Sequence, residues 1–222
     1  MGGPRQHRPI VTLAAEYGAG GSIVGPRIAE RLGVPFLDRG IPQAVAAQAG
    51  LPADAVAEVD DEPRTGLGRL AASLCRLSTV TGGTGGSFER LDLQQRTVRG
   101  HIEEFLARCR VTGGVVLGRG GMVVLRSVPW ALHVRLRGPR EARVRQGAAV
   151  FRIDVESAAR RLKAEDKARR DYVRGVYGVD PEDPSLYHVV LDSTALSLEV
   201  CVDMVVDAAT ARVAAPGPIL ST

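Results

Sequence analysis

Lysine is almost missing from this chain. Of its 29 basic residues only Lys163 and Lys167 are lysines, and the other 27 are arginines. No ammonium side chain is therefore available anywhere before residue 163. Aromatic residues make up 4% of the 222 positions, so the core has to be built from Val, Leu, Ile and Ala. The three cysteines, Cys75, Cys109 and Cys201, are scattered and form no CxxC pair, which excludes a disulfide scaffold and favours buried thiols in a reducing compartment. His7, His101, His133 and His188 are isolated, without the spacing of a zinc site. No apolar run approaches the ~20 residues of a membrane span. Residues 1–9 are polar and lack the apolar segment of a signal peptide, so a cytoplasmic protein that does not engage membranes is expected.

What is present is a hydrophobic fraction of 45%, enough for a substantial core, and a net charge of +4. A modest positive excess suits a phosphate-bearing partner. It is too small to indicate nucleic acid, and no zinc finger, RNA-binding signature or long basic run accompanies it.

Short apolar runs alternate with amphipathic helical segments. Strands are expected at 10–14, 34–37, 114–117, 130–136 and 189–191. Helices are expected at 23–32, 122–126, 139–150, from the Asp154 cap to about 175, and from a Thr194 or Ser197 cap to about 213. Continuous apolar strands bounded by helices predict an α/β fold with three layers, a parallel sheet of about five strands covered on both faces. One domain over 1–213 is expected, with its core in 10–40 and 111–213 and a helical insertion at 41–110. A lid at 143–153 and a disordered tail at 214–222 complete this reading. The glycine-rich stretch 81–87 reads as a linker, since no buried strand precedes it.

Four features carry chemistry. Gly18-Ala19-Gly20-Gly21-Ser22 stands between the first strand and the first helix, where small residues let backbone N–H groups face an anion at the helix N-terminus. Against the pattern GxxxxGK[ST], Ala15 takes the first glycine position and Gly21 the lysine position, while Ser22 retains the hydroxyl that can ligate Mg²⁺. Gly118-Arg119-Gly120 follows an apolar strand at the sheet edge where α/β folds bind ligands, and reads equally as a turn with a solvated arginine. Asp166 and Arg169 interrupt the inward stripe of the long helix, either facing a polar cleft or forming an i, i+3 ion pair. Arg143, Arg145 and Arg152 bracket a break between two helices, either as a closing segment or as a solvated face.

In this order the features resemble the cytidylate kinase-like branch of the P-loop nucleoside monophosphate kinases. The resemblance is carried by TLAAEYGAGGSIVGPRIAERLGVPFLDRG, VVLGRGGMVVLRSVPWALHVRLRGPREARV, AEDKARRDYVRGVYG and VVLDSTALSLEVCVDMVVDA. It covers about half the chain, at both ends and in order, and does not extend through 41–110. It implies that Gly18, Ala19, Gly20, Gly21 and Ser22 bind ATP phosphates, with Ser22 on Mg²⁺. It further implies that Asp38 faces the acceptor, that Arg119 contacts the acceptor's phosphate, and that Asp166 and Arg169 hold its sugar and phosphate. Arg143 would be a lid arginine, and Arg119, Arg143 and Arg169 would form the catalytic set. The sequence departs from true cytidylate kinases at Gly21, which replaces a lysine, at Gly120, which replaces an aspartate, and at Leu162, which replaces an arginine. The expected activity is ATP- and Mg²⁺-dependent phosphoryl transfer to a CMP- or dCMP-like acceptor or a similar small phosphorylated molecule. The alternatives are a nucleotide-binding regulator without catalysis and a kinase of an unrelated metabolite.

Overall fold

A computed structural model describes residues 7–37, 108–118 and 120–214, with Leu37 described by its backbone alone. The expected insertion and tail, apart from 108–110 and Ala214, lie outside these residues, as do Asp38 and Arg119.

Five parallel strands form one sheet in the order β2-β3-β1-β4-β5: β1 (Ile10–Ala15), β2 (Phe36–Leu37), β3 (Gly114–Leu117), β4 (Ala131–Arg137) and β5 (Val189–Asp192). β1 is central, and its Ile10, Val11, Thr12 and Leu13 are at most 2% exposed. A strand walled on both faces has to be apolar throughout, which is why IVTLAA reads as a run rather than an alternation. Burying side chains such as Val11 and Leu13 stabilises the fold by about 1.5–3 kcal/mol each.

Helices cover both faces. On one side lie α1 (Gly21–Leu32) and α5 (Leu198–Ala214), whose Val24, Ile28, Val202 and Val205 pack on Val11, Leu13, Val134 and Leu136. On the other side lie the short α2 (Gly121–Val124) and the long α4 (Val155–Tyr177), which buries Leu162 and Val173. Between β4 and α4 runs α3 (Arg140–Phe151), and its Val144 and Ala148 pack with Ala158 and Leu162.

The ends of these elements follow local chemistry. Gly33 and Gly178 close α1 and α4 in the left-handed region. Asp154 caps α4 by accepting from Ser157 N–H at 2.7 Å. Ser197 caps α5, its Oγ accepting from Val200 N–H at 3.2 Å, while Thr194 is held by Asp192 instead.

Register places the functional loops together. Ile10 pairs with Gly114 on one side and Ala131 on the other, so the three strands start level; β3 ends opposite Leu13, and β1 ends opposite Leu136. The segments after them, starting at Glu16, Gly118 and Gly138, emerge at one edge, where open parallel sheets bind ligands.

Candidate active site

The loop from Glu16 to Gly20 turns out of β1 directly into α1. Gly18 has φ +74°, and a Cβ there would lie 2.0 Å from the Arg143 carbonyl oxygen, so no other residue fits the loop against α3. Ala19 is fixed from both sides: its N–H donates to Glu16 O at 3.1 Å and its carbonyl accepts from buried Ser193 Oγ at 2.8 Å. Among the described residues no side chain caps α1, and its first turn holds no acidic residue. The N–H groups of Gly20, Gly21 and Ser22 have no acceptor among the described residues. The Ser22 side chain stands exposed on the first helical turn. Uncapped donors at the positive end of a twelve-residue helix form a cradle for an anion. The residues therefore fit a polyphosphate, and the Ser22 hydroxyl fits one position around Mg²⁺, an ion that keeps most of its shell as water and substrate oxygens.

Beside the loop, a cavity of about 550 Å³ opens between the sheet edge and α4. Ala14, Ala15 and Glu16 from β1 and its loop line one side, with Gly118 and Gly120 from the loop after β3. Met122, Tyr172, Val173 and Tyr187 give it an apolar wall. Gly120 has φ +66°, and a Cβ on it would meet the Tyr177 ring at 2.3 Å, so this loop too is pressed against α4.

An ion network joins the loop to α3, α4 and β4. Arg143 is 8% exposed. Its Nε donates to Gly138 O at 2.9 Å and lies 3.0 Å from Glu16 Oε2, and its Nη1 donates to Tyr17 O at 3.0 Å and to Asp166 Oδ2 at 2.7 Å. Asp166 Oδ1 accepts from Tyr17 N–H at 2.7 Å and from Arg169 Nη1 at 3.2 Å. Arg169 also pairs with Glu165 at 2.5 Å. Arg135 Nη2 donates to Glu16 Oε1 at 2.7 Å, and its guanidinium lies 5.7 Å from the Tyr187 ring centroid. Burial pushes the Tyr187 hydroxyl up to about 12, against the lowering effect of Arg135, so the ring stays neutral beside the cavity. Burial likewise raises the Tyr17 hydroxyl, and the Glu165 carboxylate adds to that shift.

Asp166 and Arg169 form the i, i+3 pair, and both also line the cavity. Arg143 is placed in the buried network, while Arg145 and Arg152 are exposed. A mobile arginine in a closing segment would carry no such set of partners. The sequence reading missed Glu16, Tyr17 and Arg135. Arg135 had a signal, because His133, Arg135 and Arg137 alternate with Leu132, Val134 and Leu136, marking a polar side of β4. Asp38 and Arg119 are outside the described residues, although Gly118 and Gly120, the chain neighbours of Arg119, line the cavity. No group of three or more metal-binding side chains occurs among the described residues.

The sequence profile described as the cytidylate kinase-like family matches residues 10–195. A cytidylate kinase of Methanopyrus kandleri is 41% identical over 66 residues, which is 30% of this chain and 34% of that protein. A uronate isomerase of Corynebacterium glutamicum is 30% identical over 95 residues, 43% of this chain and 18% of that protein. The chain thus spans about a third or less of these curated relatives. Among solved structures, an uncharacterized protein from Eubacterium ventriosum superposes with a TM-score of 0.62 at 14% identity, covering 92% of this chain and 99% of that one. A gluconokinase from Sinorhizobium meliloti superposes at 0.50 and 16% identity, covering 95% of this chain and 96% of the other, which agrees with the P-loop kinase fold.

Proposed function

Because the chain belongs to the cytidylate kinase-like family, we propose that it is an ATP- and Mg²⁺-dependent phosphotransferase. The acceptor in this reading is a nucleoside monophosphate of the CMP or dCMP kind, or a similar small phosphorylated molecule. The observation that carries the reading is the uncapped N-terminus of α1, with its unaccepted Gly20, Gly21 and Ser22 N–H groups, set beside a cavity large enough for a small acceptor.

Gly18, Ala19, Gly20, Gly21 and Ser22 hold the ATP phosphates through backbone donors. The Ser22 hydroxyl would hold Mg²⁺, which would supply neutralisation of the charge that develops on the transferring group. On the acceptor side, Asp38 and Arg119 contact the acceptor, and Asp166 and Arg169 orient its sugar and phosphate from α4. Arg143 acts as a positioning residue: through Tyr17 O, Glu16 and Asp166 it sets where the loop stands relative to α4. An acceptor phosphate oxygen, already anionic at neutral pH, attacks the γ-phosphorus in line as the bond to the β-phosphate oxygen breaks and ADP leaves. No protein base is required for that step, so the chain's task is positioning and charge stabilisation. The apolar wall of Met122, Tyr172 and Val173 excludes water that would compete with the acceptor.

The test is ATP consumption with Mg²⁺ across a panel of nucleoside monophosphates, with Arg119→Ala alongside. Turnover with cytidine or deoxycytidine monophosphate that falls at least 100-fold in Arg119→Ala is the expected result. Saturable ATP binding without turnover on any acceptor would replace this reading with that of a nucleotide-binding regulator.

A further inference from the structure

The loop binds a polyanion with no cation of its own, since Gly21 stands where a lysine would. Arg161 acts on the Tyr17 hydroxyl and has no ion pair among the described residues, but it does not line the cavity, where most charges are matched. Glu16, Glu165 and Asp166 supply three carboxylates to the three guanidinium groups of Arg135, Arg143 and Arg169, so this network is neutral as a set. Arg170, also on the cavity, is paired with Glu182 at 2.6 Å. Two lining cations, Arg140 and Lys163, have no ion-pair partner among the described residues.

We propose that Lys163 supplies, from α4, the phosphate-binding ammonium that the glycine loop lacks. This rests on the phosphotransfer reading above. Three observations converge on it. Lys163 and Lys167 are the chain's lysines, and Lys167 is paired with Asp171 at 2.5 Å and is 71% exposed, whereas Lys163 lines the same cavity as Ala15 and Glu16. Lys163 precedes Asp166 by one i, i+3 step, which puts both on one helix face, about 4.5 Å apart along the axis. Asp166 itself touches the loop at Tyr17 N–H, 2.7 Å away, so a flexible four-carbon stem rooted one step along the same face starts close to the loop. The neighbouring Leu162 is 5% exposed and packs with Tyr17 and Val144, which anchors this part of α4 against the loop and α3. An ammonium on a flexible stem can follow a phosphoryl group from donor to acceptor, which the fully engaged Arg143 cannot do. Arg140 also lines the cavity, but from the start of α3 and not from the helix that carries Asp166.

The experiment is calorimetric titration of ATP with Mg²⁺, and separately of inorganic tripolyphosphate, into the full chain and its variants Lys163→Gln, Lys163→Arg, Lys167→Gln and Arg140→Gln. Because Lys163 is exposed and glutamine is a good helix former, Lys163→Gln retains the wild-type melting temperature. The expected result is a 10- to 100-fold loss of affinity for both probes in Lys163→Gln, the scale of one charge-assisted hydrogen bond, with partial recovery in Lys163→Arg and no change in Lys167→Gln. Wild-type affinity in Lys163→Gln, an equal loss in Lys167→Gln, or a loss confined to Arg140→Gln overturns the assignment. A wild-type chain that binds neither probe removes the phosphotransfer reading and this assignment together. A wild-type chain that binds both, with Lys163→Gln unaffected, removes the assignment alone.

Discussion

A Cβ on Gly18 would fall 2.0 Å from a backbone carbonyl of α3, and backbone cannot swing aside as a side chain would. The left-handed φ of +74° adds strain to any substitution. Gly18→Ala is expected to lower the melting temperature and to abolish saturable ATP binding together, measured by thermal unfolding and by titration on the same preparation. Stability loss with intact binding would show that the loop does not depend on its seat against Arg143. Arg143 is a different case, because its removal leaves the half-buried Glu16 and Asp166 with one arginine each, Arg135 and Arg169. Losing its set of charge-assisted hydrogen bonds costs about 3 kcal/mol, or roughly 6–12 °C in melting temperature for a chain of this size. Arg143→Lys should recover little of it, since one ammonium cannot reproduce the planar fork that reaches Gly138 O, Tyr17 O and Asp166 at once. A melting temperature within 2–4 °C of wild type in Arg143→Ala, a shift worth about 1 kcal/mol, would mean that the network relaxes around the gap.

Elements were more legible than contacts. Strands such as β1 and β3 announced themselves because a parallel sheet walled on both sides favours uninterrupted apolar runs, and 114–117 came out with the observed bounds. Gly33 and Asp154 marked helix ends by chemistry that needs no tertiary partner. The interruption of the α4 stripe by Asp166 and Arg169 was also visible, since charge at a core-facing position stands out against period 3.6. What those charges meet was not visible. Glu16 and Arg135 are 119 positions apart, and Tyr17 and Asp166 are 149 apart, so only the folded register brings them together. Lys163 lay in plain sight as one of two lysines, but that it has no ion-pair partner among the described residues is a property of the fold. The α1–α5 seam supplies a contrast. Arg27 meets Glu199 at 2.6 Å with side chains 51% and 58% exposed, and Arg31 pairs with Asp203 in similar exposure. Salt and solvent screen such pairs, so Glu199→Ala should change stability by less than about 1 kcal/mol in urea unfolding. A larger loss would show that these pairs, rather than Val24, Ile28 and Val202, hold α5 to α1.

Across the whole molecule, the group that ties sheet to helices through a titratable ring is His133. It is 3% exposed in β4, its Nδ1 lies 2.8 Å from Thr12 Oγ1 in β1, and its ring stacks on His188 at 4.7 Å between centroids. His188 Nδ1 accepts from the His133 backbone N–H at 2.9 Å, and Arg212 of α5 places Nη2 3.1 Å from His188 Nε2. Burial first, then the neighbouring charges of His188, Arg212 and Arg126, lower His133 from 6.5 to about 4. Burial lowers His188 too, followed by Arg212. Between these values the unfolded chain binds a proton that the folded chain refuses, so the unfolded state gains stability as the pH falls. The contribution is fully present above pH 6.5, declines below it, and is exhausted near pH 4, at a total of about 3 kcal/mol. By pH 5, above the range where most carboxylates titrate, about 2 kcal/mol is lost, which corresponds to a fall of roughly 4–8 °C in melting temperature. His133→Gln has no ring to protonate, and its melting temperature should change less between pH 7 and pH 5 than that of the wild type, whatever its absolute value. Parallel slopes for the two proteins would assign the acid sensitivity to other groups, with His188 the next to test. A shallower slope in the variant would mean that a single buried imidazole, held between β1, β4 and the α5 arginine, sets the acid limit of the fold.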